Sequence, residues 1–182
     1  MKKIMFNDKY CLTKAVLDGA KTMTRRVLRD NVPLGNWEDT QKHLPYKVGE
    51  VVAIAQSYKS IADERDEAET ALDLYKIGDN FLTMDEMGAG WNNKMFVKAD
   101  LMPHHIKITD VKIERLRDIS EEDALREGIL KLASGYYYLP NGGYGAFSTP
   151  RRAFAYLIDK ISGKGTWERN PWVVAYSFEL VD

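Results

Sequence analysis

Apolar residues recur along the chain at two spacings, and each spacing predicts one kind of element. Over residues 172–180 every second residue is large and apolar, which is typical of a final strand with one strongly apolar face. After Thr149 and Pro150, apolar residues return every three or four positions until Gly163, which predicts a helix with one face in the core. The apolar stripe of this helix comprises Ala153, Phe154, Leu157, Ile158 and Ile161.

The same spacings predict the other elements of the chain. We expect strands at residues 3–6, 51–55, 93–98 and 105–116. Helices are predicted at residues 8–18, 63–76 and 120–127, the last of them with Ser120 and Asp123 as a capping pair and Gly128 as its end. The acidic residues of this last helix are expected to form a solvated face.

Residues 19–26 concentrate polar chemistry directly after the first predicted helix. The segment carries three cations and two hydroxyls, namely Lys21, Arg25, Arg26, Thr22 and Thr24. Lys21 lies close enough to complement the negative end of the helix that Gly19 ends, whereas Arg25 and Arg26 lie too far along for that effect. Guanidinium forks beside hydroxyls are suited to phosphate or carboxylate. The segment therefore predicts an anion-binding loop, and a solvated basic turn is the alternative.

Three ordered segments of the chain resemble the ASCH family, whose fold is PUA-like. They are residues 19–26 after a short strand and helix, residues 108–129 and residues 163–174. The resemblance covers most of the chain and is to the phage-associated bacterial members. It implies an α+β fold, a small mixed β-barrel flanked by short helices and closed by the final strand. It also implies a single domain over residues 1–182, with insertions near 30–46, 59–90 and 130–148.

The strand predicted at residues 51–55 departs from the family where it ends. Relatives usually carry an arginine, a glutamate, a threonine and a tryptophan there, whereas this chain has Ala55, Gln56, Ser57 and Tyr58. Gln56 accepts and donates hydrogen bonds but cannot transfer a proton, and Ala55 cannot bind an anion. Gln56 is therefore predicted to bind ligand, and a mechanism that needs the charged pair is not expected.

The resemblance implies two functions for residues 21–26. ASCH and PUA-like domains resemble RNA-binding modules, which favours RNA or nucleotide binding in a basic cleft. The predicted ligand-binding residues are Lys21, Thr22, Thr24, Arg25, Arg26 and Gln56. A bacterial branch of the family is instead an amidohydrolase that removes acetyl from acetylated cytidine.

The catalytic lysine, threonine and glutamate of that branch fall on Lys21, Thr24 and Glu127. A partly desolvated Lys21 would then act as the base that activates the Thr24 hydroxyl or a water, with Arg26 or a backbone amide holding the oxyanion. Whether the chain is an enzyme stays open, and an enzyme would be an amidohydrolase or a nucleic-acid-processing hydrolase. A module that acts through a protein partner is a third alternative.

Composition limits the environment and the cofactors. The chain has 182 residues, 45% of them hydrophobic, and one cysteine, so we expect one intracellular domain without an intrachain disulfide. Because no signal peptide or long apolar run is present, we predict a cytoplasmic protein without a membrane role. The net charge of -1 means that nucleic acid must meet a local basic patch. No metal and no cofactor are expected, because the three histidines lack further ligands at zinc spacing and no phosphate-binding fingerprint is present.

Two further features predict ligand contacts outside the basic segment. Residues 133–148 combine four tyrosines with four glycines, which predicts a mobile loop whose rings stack on a base, with simple packing of the insertion as the alternative. Arg151 and Arg152 occupy the first turn of the helix after Pro150, where cations are unfavourable to the helix dipole. They are ligand-contact candidates, and a surface role is the alternative.

Overall fold

The computed structural model describes residues 1–64, 76–77, 80–143 and 145–181. Of the helix predicted at residues 63–76, only residues 63, 64 and 76 lie within these ranges. The described chain divides into two compact units. The first unit comprises Met1–Phe6, the described part of Val51–Ile106, and Val181, and the second comprises Asn7–Glu50 and the described part of Lys107–Leu180.

Short strands and short helices are interspersed along the described residues. The strands are β1 (Lys3–Ile4), β2 (Met23–Val27), β3 (Val51–Ile54), β4 (Lys76–Ile77), β5 (Asn80–Phe81), β6 (His105–Arg115), β7 (Leu130–Lys131), β8 (Tyr137–Tyr138) and β9 (Trp172–Leu180). The α-helices are α1 (Leu12–Leu17), α2 (Trp37–His43), α3 (Tyr58–Asp63), α4 (Met84–Met87), α5 (Glu121–Arg126), α6 (Pro150–Ser162) and α7 (Thr166–Arg169). The fold is therefore of mixed α+β class, as predicted.

Five strands form a mixed sheet in the order β1-β3-β6-β9-β2. β1 is parallel to β3, and β2 is antiparallel to β9 with Arg25 opposite Ala175. The order begins at β1 and ends at β2, so the described strands form an open sheet, and the predicted closure into a barrel is wrong. Closure would require the two terminal strands to pair with a stagger, and β1 offers only two residues for this.

In the second unit, the predictions for β9 and α6 are confirmed, with two corrections. β9 is buried on both faces, because Val173, Ala175 and Ser177 are as inaccessible as the apolar residues between them. The Thr149 hydroxyl caps α6 by accepting a hydrogen bond from the backbone of Arg152, and Pro150 occupies the first turn. Ile161 is exposed rather than part of the core stripe, because it lies in the last turn, where α6 ends.

The helix predicted at residues 8–18 is interrupted at Cys11. A 3-10 turn at Asp8–Tyr10 precedes α1, and Cys11 between them has a φ of 53°, which a continuous helix does not allow. Gly19 ends α1 in the left-handed conformation with a φ of 73°, as predicted. The chain therefore turns sharply just before the basic segment.

Helix α5 forms as predicted and positions the next polar residue. The Ser120 hydroxyl accepts a hydrogen bond of 3.0 Å from the backbone of Asp123, and Gly128 follows the helix with a φ of 99°. A side chain at Gly128 would meet the Lys21 Cβ at 3.4 Å. Glu127 and Lys21 are consequently held as backbone neighbours in an isolated antiparallel bridge.

Three segments differ from, or add to, the sequence prediction. The polar connection 30–46 contains α2, which begins after the capping side chain of Asn36. Within the insertion 130–148, β7 and β8 form an antiparallel pair. Residues 93–98 are not a strand: Lys94–Phe96 form a 3-10 turn, and Lys3 Nζ donates to the carbonyls of Lys94, Met95 and Val97, which are therefore not paired with a neighbouring strand.

The first unit has its own small core around β3. The buried cluster comprises Ala53, Ala55, Tyr58, Ile61, Met87, Val97 and Met102. Gly90 lies against it so closely that a Cβ there would stand 2.7 Å from the Tyr58 ring. Across the described ranges of both units, no helix combines the length and the apolar character that a membrane crossing requires.

Candidate functional site

Strand β2 directs the side chains of the basic segment to two different faces. Because side chains alternate along a strand, Met23 and Arg25 lie on one face, and Thr24 and Arg26 lie on the other. Arg25 is fully buried, whereas Arg26 is only partly so. The run of basic residues is therefore divided by the pleat of the strand rather than gathered into one loop.

Arg25 contacts three carboxylates from two other elements. Its Nε donates to Glu114 Oε1 on β6 at 2.7 Å, and its Nη2 donates to Asp123 Oδ2 on α5 at 2.8 Å. Its Nη1 lies 3.1 Å from Glu127 Oε1, directly after α5. Burial alone would lower the pKa of Arg25, but Glu127 and Glu114 outweigh it and raise the pKa. This guanidinium is consequently a permanent charge.

Lys21 and Glu127 form a buried ion pair beside Arg25. Lys21 Nζ donates to Glu127 Oε2 at 2.6 Å, and it also donates to the carbonyls of Glu127 at 2.9 Å and Met23 at 2.7 Å. The two side chains are only 2% and 4% exposed. Burial lowers the pKa of Lys21 below its ordinary value, and the charge of Glu127 opposes that shift. The pair thus unites two residues predicted for catalysis.

Lys112 and Arg126 form the accessible edge of the same group, with side chains 41% and 37% exposed. Lys112 Nζ lies 2.9 Å from Asp123 Oδ2 and 3.1 Å from Glu114 Oε2. Arg126 Nη1 lies 3.4 Å from Asp123 Oδ1, and Arg126 Nη2 donates to the Ser177 hydroxyl at 3.0 Å. Its Nε lies 3.4 Å from the Thr22 hydroxyl.

We call this group the ionic cluster. Its members are Lys21, Arg25, Lys112, Arg126, Glu114, Asp123 and Glu127. With every group ionised, four cations face three carboxylates, which leaves one positive charge. Burial of Asp123 would raise its pKa, but hydrogen bonds from Lys112 and Arg25 outweigh burial and lower the pKa. Asp123 therefore stays ionised at neutral pH.

Thr24 and Arg26 belong to a second environment on the other face of β2. Thr24 is buried opposite Tyr176, and Tyr176 contacts Tyr46 edge-on with ring centroids 5.4 Å apart. Burial raises the pKa of Tyr176 to about 12, although the backbone of Tyr46 and the charge of Arg26 oppose the shift. The described residues show no hydrogen bond that joins Thr24 to Lys21 or Glu127. The predicted catalytic trio is therefore assembled only in part.

Gln56 lies in the first unit, whereas the other predicted site residues lie in the second. It is almost fully buried, its side-chain amide donates to Glu64, and its backbone N–H approaches Met102 Sδ at 3.3 Å. Its Oε1 is buried without a hydrogen-bond partner among the described residues. Gln56 therefore has local contacts of its own and one unsatisfied acceptor.

Four members of the ionic cluster were not predicted as site residues: Lys112, Glu114, Asp123 and Arg126. The face of α5 that carries Asp123 was expected to be solvated, but Asp123 is buried against Arg25 and Lys112. A period of two places Lys112 and Glu114 on one face of β6, and this pattern is the signal in the sequence that could have found them. Among the described side chains, no group of three or more His, Cys, Asp or Glu is arranged to hold a metal ion.

Comparisons with known proteins give two distant structural likenesses. No protein-family model and no curated protein matches the chain. The structure is similar to a crystal structure from Enterococcus faecalis V583 that is assigned to the family DUF984, with 17% identity, a TM-score of 0.48, and coverage of 100% of this chain and 81% of that chain. It is also similar to an ASCH domain from Lactobacillus crispatus JV V101, with 12% identity, a TM-score of 0.37, and coverage of 95% and 72%.

An ASCH domain is among the solved structures to which this chain is similar. The association with phage stays a prediction.

Proposed function

We propose that the second unit binds RNA or a nucleotide, with the phosphate at the accessible edge of the ionic cluster. The observation that carries this proposal is the excess of cations in the cluster, together with the exposure of Lys112 and Arg126. Lys21 and Arg25 are buried against carboxylates, so their role is to hold Asp123 and Glu127 beneath the edge. The Thr22 hydroxyl beside Arg126 offers a neutral donor.

Charge explains why a phosphate is favoured at this edge. Phosphate contacts supply most of the affinity of proteins for nucleic acids, and each neutralised phosphate releases counterions. A chain with a net charge of -1 has no general attraction for polyanions, so a local excess must provide it. Arg26 on the other face of β2 is a further candidate, and the ligand contacts of Thr24 and Gln56 stay proposals.

Arg126→Ala and Lys112→Ala are expected to weaken RNA binding by about threefold to tenfold each and to reduce the salt slope by about one. The reason is that each change removes one partly exposed cation while Lys21 keeps Glu127 and Arg25 keeps its carboxylates. Fluorescence anisotropy of a labelled RNA over a salt series measures both effects. Lys131→Ala on β7 is the control, since it removes an exposed charge outside the cluster. Equal affinity of both variants and the control, or no binding by the wild type, would overturn the proposal.

A second candidate function, the amidohydrolase, is favoured by the buried Lys21–Glu127 pair. A lysine whose pKa is lowered by burial releases its proton more readily and so can serve as a base. Because Thr24 lies on the other face of β2 from Arg25, water is the nucleophile in this candidate function. The water oxygen would attack the acetyl carbonyl, its proton would pass through Lys21 to the leaving amine, and the C–N bond would break.

Lys21→Arg is expected to reduce turnover of acetylated cytidine by about a hundredfold or more, because arginine keeps the charge beside Glu127 but cannot act as a base. A product assay by chromatography, with thermal unfolding measured in parallel, checks this. Lys131→Ala should retain full activity. No turnover by folded wild type, or full turnover by Lys21→Arg, rules the candidate out. A folded protein that neither binds nor turns over any of these ligands would favour the protein-partner alternative.

A further inference from the structure

A separate cavity of about 230 Å³ lies in the second unit at the start of α6. Its walls are Arg117, Glu121, Thr149, Arg151, Arg152, Ala155 and Trp167. None of these residues belongs to the ionic cluster. Arg151 and Arg152, which the sequence singled out as candidate ligand contacts outside residues 19–26, both line this cavity.

The cavity has more positive charge and more donors than its own residues can satisfy. Three arginines face one carboxylate, Glu121, which already accepts a hydrogen bond of 3.1 Å from the backbone of Arg151. The guanidinium of Arg117 is exposed and has no hydrogen-bond or ion-pair partner among the described residues. The Arg151 Nε is buried and also lacks a partner there. Arginine donors that are not satisfied within the protein are available to bind an anion.

The position of these arginines works against the helix that carries them. The N-terminus of α6 has a positive partial charge, so the charges of Arg151 and Arg152 are unfavourable there. The backbone N–H groups of the first turn are already satisfied by Glu121 and Thr149. A bound anion would remove this repulsion by neutralising both arginines.

Tryptophans adjoin the arginines at two places. The Arg151 guanidinium lies 5.9 Å from the centroid of Trp167, whose ring also packs edge-on against Phe154. The Arg115 guanidinium lies 4.5 Å from the centroid of the exposed Trp172. Asn170 joins the two places, since its carbonyl accepts from Arg115 and its side chain accepts from the backbone of Arg117. Alternating arginine and aromatic side chains are typical of surfaces that bind single-stranded nucleic acid.

We propose that this arginine cavity binds a phosphodiester group of a single-stranded RNA, whose neighbouring base stacks on the Trp172 side. The volume is below the 300–1,000 Å³ that is usual for whole small-molecule ligands, so it fits a phosphate with part of its sugar. Arg115 and Trp172 lie outside the cavity, where they would contact an RNA strand that continues beyond the bound phosphate. The inference rests on the proposed RNA function and adds a second contact region to it.

Arg117→Ala and Arg152→Ala test the cavity without disturbing the fold. The hydrogen bond from Arg151 to residue 117 ends on a backbone carbonyl, and the N-cap bond at residue 152 uses its backbone N–H, so alanine keeps both. We expect each variant to weaken binding of a short single-stranded RNA by about threefold to tenfold and to lower the salt slope by about one. Lys131→Ala is the matched control and should bind as the wild type does.

A second measurement separates this inference from the proposed function. Inorganic phosphate is titrated while the fluorescence of Trp167 is followed in a Trp37→Phe, Trp91→Phe, Trp172→Phe background, with and without Arg117→Ala/Arg152→Ala. A response that the double change abolishes, together with weaker RNA binding, supports the proposal. A phosphate response with unchanged RNA affinity overturns the phosphodiester assignment in favour of a free phosphate ligand. A phosphate response without any RNA binding by the wild type overturns both the assignment and the proposed function. No phosphate response and unchanged RNA affinity overturn the cavity as a site.

Discussion

Glu127→Gln is expected to lower the free energy of unfolding by about 3–5 kcal/mol, because it leaves Lys21 buried without its counter-charge. The glutamine keeps the volume and can still accept a hydrogen bond, but it cannot balance an ammonium group that is 2% exposed. Arg25 loses one of its three carboxylates in the same step. Urea unfolding monitored by circular dichroism measures the change.

Two companion variants separate charge from packing. Glu122→Gln removes an exposed carboxylate from α5 and should cost less than about 1 kcal/mol. The double variant Lys21→Met/Glu127→Leu replaces the whole pair with apolar groups, and it should recover much of the loss. If Glu127→Gln unfolds at the same urea concentration as Glu122→Gln, then the charge of Glu127 does not stabilise the fold by balancing Lys21.

Arg25→Gln is the second change with a large expected effect, about 3–5 kcal/mol of destabilisation at pH 7. It removes the cation that lies between Glu114, Asp123 and Glu127, and three carboxylates then remain near one another. Lys21, Lys112 and Arg126 still face these carboxylates, but only Lys21 among them is buried. Arg29→Gln, on the exposed chain just after β2, is the matched control and should stay within about 0.5 kcal/mol of the wild type.

The pH dependence gives the Arg25 prediction a second readout. In the wild type the pKa of Asp123 is lowered in the folded state, so its stabilisation is present above about pH 3.8 and is lost as pH falls through the lowered value. In Arg25→Gln, Asp123 loses one of the two cations that lower its pKa, so its pKa rises toward the ordinary value. The deficit of the variant should therefore shrink as pH falls below about 3.8, where the wild type loses the stabilisation that the variant already lacks. A deficit that stays constant below this pH would show that lost packing, not charge, causes it.

The ionic cluster joins three elements of the fold, and both variants test this role. β2, β6 and α5 each contribute charged side chains to it, and every buried charge has an opposite charge within 3.1 Å. Removal of any one member leaves others unpaired, so the effects of changes within the cluster should not be additive. The cluster thereby fixes the positions of the exposed Lys112 and Arg126, which we propose as the phosphate contacts.

Local signals in the sequence were sufficient for several elements. Thr149, Pro150 and Gly163 mark the two ends of α6, and Ser120 and Gly128 mark those of α5. These predictions succeed because capping hydrogen bonds and left-handed glycines act within a few residues. The prediction of a strand at residues 93–98 was wrong. The side chain of Lys3, which is distant in the sequence, donates hydrogen bonds to backbone carbonyls of this segment.

The sequence by itself determined the mixed α+β class, the ends of α5 and α6, and the strands β6 and β9, and it indicated Lys21, Arg25 and Glu127 as candidate site residues. Only the tertiary structure decided that Lys21 and Glu127 form a buried ion pair beside Arg25, since Lys21 and Glu127 are separated by 106 positions and meet through the bridge between their backbones. It also decided that the sheet stays open and that Thr24 lies on the other face of β2 from Arg25. The physical reason is that an ion pair depends on distance and burial, and both are set by which strands and helices pack together.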